Sequence, residues 1–304
     1  MFFFRLRHNV LKNEKVVNGM RKRLHDLLDE RIRHFFVSDV TDEEAERKRK
    51  MLEKRNAKLM KCEGKGTVIE KKRLGPYTFV RYIVHFRFVI SQNEWLYVEE
   101  HQEMREAIFE KSELVDDRLV LPHVETGQIE KRQEREDDER VRYTYDRLAA
   151  VRYAEIWWND YNPAFQKFPV DCTNFISQCL HAGGIPMMGY PNKTKGWWMR
   201  KNEWSYTWTV ANAFRWYLSG SKTGIQAVEK KSPEQLSLGD VICYDFQGDG
   251  RFDHTTIVVA KDKQGMPLVN AHTSNSRMRY WSYEDSTAYT PNIQYKFFHI
   301  IDRI

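Results

Sequence analysis

Apolar and polar positions alternate along Tyr77–Ile90, where Val80, Tyr82, Val84, Phe86, Phe88 and Ile90 are separated by residues such as Arg81, His85 and Arg87. A period of two marks a strand with one buried face, so this segment predicts an antiparallel strand. Upstream the pattern is different. Residues 9–61 are rich in Lys, Arg, Glu and Leu and contain no Pro, and Val40-Thr41-Asp42-Glu43-Glu44 carries a helix-start signal. Two helices are expected, ending near Val37 and Cys62. Trp95–Arg105 and Asp117–Val124 predict two further strands. Helices followed by antiparallel strands make an α+β module over residues 1–140.

Thr126–Arg142 is almost wholly charged and predicts either a linker or the exposed start of a helix running on to Trp158. The domain boundary is placed there, between 1–140 and 141–304. In the second part the pattern predicts helices over Tyr143–Trp158, Asp171–Ala182 and Thr207–Ser219. A loop rich in Gly, Pro and Trp lies between the second and third. Short strands are expected at Asp240–Tyr244, His254–Ala260, Pro267–Thr273 and Ile293–Ile301, again an α+β order.

Composition sharpens this division. Of the 304 residues, positions 1–140 hold 58 charged side chains and 141–304 hold 34, while eight of nine Trp fall in the second part. The net charge of +6 is spread as +2 and +4 over the two parts. Basic and acidic residues interleave as they do on solvated helix faces, which argues against a nucleic-acid surface. No run reaches the roughly 18 apolar residues of a membrane span. The N-terminus shows no secretory h-region with a cleavage site, so a cytoplasmic location is expected, with unconventional or spore-associated release as the alternative. Four scattered cysteines without a CxxC pair fit a reduced protein.

Candidate chemistry sits in the Trp-rich part. In Pro169-Val170-Asp171-Cys172-Thr173-Asn174-Phe175, Asp171 is the expected N-cap and Cys172 opens the helix. A thiol there meets the positive end of the helix dipole, which favours thiolate, the form a cysteine nucleophile needs. Its position on the Phe175, Ile176, Cys179, Leu180 stripe also fits plain core. A nucleophile needs a histidine to shuttle its proton and a polar group to orient that ring. His254 begins a β-branched strand, and the next strand carries Asn270 and His272 on one face, so either can serve as the orienting group.

DCTNFISQCLHAGG, LSLGDVICYD, DHTTIVV and VNAHTSN, in this order, resemble the putative amidase domain family of Gram-positive bacteria over about residues 143–300. More distantly they are similar to NlpC/P60 and CHAP cysteine hydrolases. The resemblance implies a papain-like fold with helices before an antiparallel sheet. It further implies Cys172 as nucleophile, His254 as base and His272 as third polar residue, with hydrolysis of an amide bond, typically in peptidoglycan stem peptides. Two departures are visible: no export signal or wall-binding repeat, and a long Trp loop unlike the usual NlpC/P60 block. The charged module resembles a cystatin or nuclear-transport-factor-like roll.

The substrate cleft is expected to be lined by Asp171, Asn174 and Asp253 near the nucleophile and by the flat faces of Trp197 and Trp198. Trp208 and Trp216 fall on the third helix as expected core, Trp208 within reach of the cleft. Residues 245–253 resemble the start of a calcium loop, but Gln247, Arg251 and Thr256 break the ligand pattern, so a turn whose acids bind backbone is expected. Cys62, Cys179 and Cys243 form no zinc set with a nearby histidine, and His85 and His101 read as ordinary strand residues. No metal or other cofactor is expected. The functional expectation is a cysteine hydrolase of amide bonds acting on a peptide or amide substrate. Its alternative is a non-catalytic peptide- or glycan-binding module, and a nucleic-acid binder is the least favoured reading.

Overall fold

The computed structural model describes residues 14–37, 42–121 and 142–303. The expected domain boundary and the charged stretch at 126–141 lie outside the described residues. The chain forms two compact units, 1–121 and 122–304.

The first unit begins with helices α1 (Glu14–His34) and α2 (Glu43–Lys54). An antiparallel meander follows: β1 (Ala57–Leu74), β2 (Tyr77–Gln92), β3 (Trp95–Glu110) and β4 (Glu113–Leu119). Asp42 caps α2 by accepting the Glu44 and Ala45 amides. The inward row of β2, from Val80 to Ile90 at every second residue, is buried. The expected second helix ends at Lys54, not near Cys62. Asn56 takes φ +50 and the chain turns into β1. The buried row Cys62, Gly64, Gly66 lacks large apolar residues in two of its three positions, which hid the alternation. Gly64 lets α1 lie close, because a Cβ there would stand 2.9 Å from Leu28 Cδ1. The β2–β3 turn places Asn93 and Glu94 at φ +47 and +65, a two-residue hairpin whose twist matches its strands.

In the second unit, α3 (Arg147–Trp157) and α4 (Cys172–Ala182) precede a small hairpin, β5 (Met199–Arg200) and β6 (Glu203–Trp204). The expected third helix is broken in two. Val210 is extended (φ −110, ψ 118) between α5 (Tyr206–Thr209) and α6 (Ala211–Gly220). The strands β7 (Ala227–Lys230), β8 (Val241–Asp245), β9 (His254–Lys261), β10 (Pro267–Ala271), β11 (Ser276–Tyr280) and β12 (Gln294–Ile300) run antiparallel in the order β11-β10-β9-β8-β12-β7.

Strand alternation sorts the sheet into two faces. Val241, Cys243, Ile257, Val259, Phe298 and Ile300 pack with Ala150, Ala154, Phe175, Ile176 and Phe214 of the helices. Ile242, Tyr244, Val258, Val269 and Phe297 form the core of the other face with Phe246 and Tyr283. Both parts are therefore mixes of helices and largely antiparallel strands.

Candidate active site

Cys172 through Leu180 are all buried, so α4 has no solvent face to carry its polar residues. Each must then find a partner inside. Thr173 Oγ1 meets Thr255 Oγ1 of β9 at 3.2 Å. Asn174 accepts the Trp208 indole N–H at 2.8 Å and donates to the Gln166 carbonyl and Asp171 Oδ1. Ser177 accepts from Trp197 Nε1 at 2.9 Å and donates to the Trp208 carbonyl, and Gln178 accepts from the Tyr153 hydroxyl at 2.6 Å.

This network corrects the expected cleft. Trp197, Trp198 and Trp208 are at most 1% exposed. Their indole N–H groups are taken by Ser177, by the carbonyls of Asn192 and Lys195, and by Asn174. They are hydrogen-bonded pillars of the interior because each ring finds both apolar packing and an acceptor there. Asn174 is likewise an internal tie. Trp216, expected in the core, is 38% exposed with Arg215 stacked 3.7 Å above it. Of the expected cleft residues only Asp253 has an exposed side chain.

Asp171 stands immediately before Cys172, but its carboxylate does not cap α4. Oδ1 accepts the Phe168 amide at 2.9 Å and the Asn174 side chain, and Oδ2 pairs with His272 Nδ1 at 2.8 Å. The work of a cap is done by Thr273. Its Oγ1 accepts the N–H groups of both Asp171 and Cys172 at 3.1 Å. The backbone of Thr273 sits at φ +83, a conformation a β-branched residue avoids unless its surroundings enforce it. Sequence reasoning missed this residue. Its only visible signal is a hydroxyl directly after His272 in VNAHTSN. The Cys172 N–H is thus already engaged.

The Cys172 sulfur lies 3.9 Å from the carbonyl oxygen of Asp253 and 3.8 Å from Thr173 Oγ1. Burial pushes its thiol pKa up, against the lowering influence of hydrogen bonds from Thr173, Thr255 and Thr273. The expected depression by the helix dipole is overturned because the sulfur is almost wholly removed from water, and desolvation of a thiolate outweighs one helix terminus.

His254 follows Asp253 directly, yet its side chain takes the other face of β9. It packs among the rings of Tyr244, Phe246 and Tyr283, at centroid distances of 5.6, 6.0 and 5.3 Å. Its neighbour Thr255 faces α4 instead, as strand alternation requires. No hydrogen bond joins Cys172 and His254, and His254 Nε2 is buried without a hydrogen-bond partner. Burial, aided by the Arg279 charge, pushes its pKa down to about 3, so the ring is neutral at physiological pH.

His272 and Asn270 do share a face, the one toward the helices, but neither reaches His254. His272 Nε2 lies 2.8 Å from the Trp157 carbonyl, and the ring stacks on Phe175 at 3.9 Å. Both polar partners of that ring are oxygens, the Asp171 carboxylate at Nδ1 and the Trp157 carbonyl at Nε2. Asn270 donates to the Ala154 carbonyl and to Glu155, and accepts the Met278 amide. The structure therefore brings Asp171, Cys172, His272 and Thr273 together and leaves His254 on the opposite side of one strand.

The acids of the 245–253 turn bind backbone. Asp245 accepts the amides of Gly248, Asp249 and Gly250, and Asp249 accepts that of Arg251. All four cysteines are free and buried.

The model of the putative amidase domain matches residues 144–298, which include every residue of this constellation. The chain belongs to this family. Uncharacterized protein YhbB of Bacillus subtilis (strain 168) is 54% identical over 268 residues, covering 84% of this chain and 86% of its own length. Uncharacterized protein YjcM of the same strain is 30% identical over 139 residues, 43% of this chain and 31% of that one. No solved structure is a significant match. Among the described residues no helix is long and apolar enough to cross a membrane. Membership points to hydrolysis of an amide.

Proposed function

We propose that the second unit is a papain-like cysteine hydrolase of amide bonds, with Cys172 as nucleophile and His254 as its base. The observation that carries this reading is the meeting of Cys172 with the start of β9. The sulfur touches the carbonyl of Asp253, so nucleophile and histidine are separated by one peptide unit. In the reaction the Cys172 thiol gives its proton to the neutral His254 ring as sulfur attacks the substrate carbonyl carbon. The C–N bond then breaks, with His254 returning the proton to the departing amine. Water hydrolyses the resulting thioester through the same base. His254 must rotate out of its aromatic cage for this, and its unpaired Nε2 lowers the cost of leaving. Asp171 and His272 act as positioning residues that hold the head of α4, not as direct partners of His254. A peptide from peptidoglycan is the substrate class we favour.

The second reading is a peptide- or glycan-binding module with the same fold. It is favoured by the buried, raised thiol of Cys172 and by the missing Cys172–His254 hydrogen bond. Incubating the protein with peptidoglycan stem peptides and following the products by mass spectrometry separates the two. The enzyme reading expects cleavage that Cys172→Ala and His254→Ala both abolish. Binding without cleavage by the unmutated protein favours the module.

A further inference from the structure

We propose that Glu44, His101 and Glu103 of the first unit bind one divalent transition-metal ion of the zinc class. Their ligand atoms lie within 4.8 Å of one another, on the first turn of α2 and on β3. His101 is the informative member. It is 4% exposed, its ring packs against Phe86 and Phe88, and neither of its nitrogens takes a hydrogen bond. A buried imidazole without hydrogen bonds costs about 1–3 kcal/mol per polar atom, so such a ring calls for a partner. Its nearest charge is Glu103 Oε1, 3.5 Å from Nε2. The other Glu103 oxygen is held by Arg105 at 3.0 Å, which fixes the carboxylate with Oε1 turned to the ring.

Metal–ligand distances of about 2.0–2.2 Å in a tetrahedral site bring ligand atoms to about 3.5 Å from each other. The present spread exceeds that by roughly an ångström, within the reach of a side-chain adjustment by the partly exposed Glu44. One imidazole and two carboxylates favour zinc or manganese over magnesium and calcium, which prefer all-oxygen sites. The ion would tie helix α2 to the sheet, and three protein ligands leave a fourth position for water.

The test uses the full chain, stripped with EDTA and titrated calorimetrically with zinc chloride, with magnesium chloride as control. One zinc per chain, no magnesium response, and at least about tenfold weaker binding in Glu44→Gln are expected. No stoichiometric zinc uptake would overturn the proposal, as would unchanged affinity in both Glu44→Gln and His101→Gln. Cobalt(II) loaded in place of zinc gives a readout on the unmutated protein. Bands of nitrogen and oxygen ligation support the site, whereas sulfur-to-cobalt charge transfer overturns it by putting the ion on a cysteine.

Discussion

Replacing Thr273 by Val removes one oxygen and keeps the shape and the β-branch. That oxygen accepts two backbone N–H groups, of Asp171 and Cys172, residues only 1% and 2% exposed. A buried donor left without a partner costs about 1–3 kcal/mol, so two such donors put the loss at about 2–6 kcal/mol, the lower end if water enters beside the half-buried Thr273. Thr273→Ser keeps the acceptor and is expected within about 1 kcal/mol of the unmutated protein. Thr273→Gly loses the oxygen but relieves the positive φ, worth about 1 kcal/mol, and is expected to fall between the two. Urea unfolding measured on all three variants orders them Ser, Gly, Val by stability. A valine variant within 0.5 kcal/mol of the unmutated protein, a margin set by the roughly 1 kcal/mol worth of one hydrogen bond, would refute the claim that Thr273 caps α4.

Other consequences follow from the same contacts. Folded His254 titrates near 3 and the unfolded residue near 6.5, so below pH 6.5 the unfolded chain binds the proton and the fold does not. Stability is expected to fall by about 1.4 kcal/mol per pH unit between 6.5 and 3, and His254→Phe should flatten that slope in urea melts across the range. The same variant is expected to be no less stable at neutral pH, because it deletes an unpaired buried nitrogen. Asp171→Ala strips acceptors from the Phe168 amide, the Asn174 side chain and His272, and a loss of at least about 3 kcal/mol is expected in thermal or urea unfolding. Gly196→Ala places a Cβ 2.2 Å from the Met188 carbonyl oxygen at φ +65, and a soluble yield far below that of the unmutated protein is expected.

Period and residue type were enough to find β2, β9 and α4, because their apolar rows are long and their bounding turns carry Gly or Pro. The helices α3 and α4 start within a few residues of their expected positions. β1 was hidden by glycines in its inward row, β7 by its brevity, and β11 by its polar residues Ser276, Arg277 and Arg279. The break at Val210 has no proline or glycine to announce it. Around the candidate site, local spacing was enough to put Cys172 at the first position of α4 and Asn270 and His272 on one face. Sequence reasoning missed Thr273 and misplaced the tryptophans, because the sequence does not tell which face of a strand start meets the helix or which indole finds an internal acceptor. His254 shows the limit most clearly: a shift of one residue along β9 decides whether its ring points to Cys172 or away from it.

The central claim is that Cys172 is a working nucleophile. Its most direct measurement is intact-mass analysis of the protein during turnover of a stem-peptide amide, read alongside Cys172→Ala. A transient mass increase equal to the acyl portion, mapped to Cys172 and absent from the alanine variant, is expected. Hydrolysis that persists at an unchanged rate in Cys172→Ala would contradict that claim.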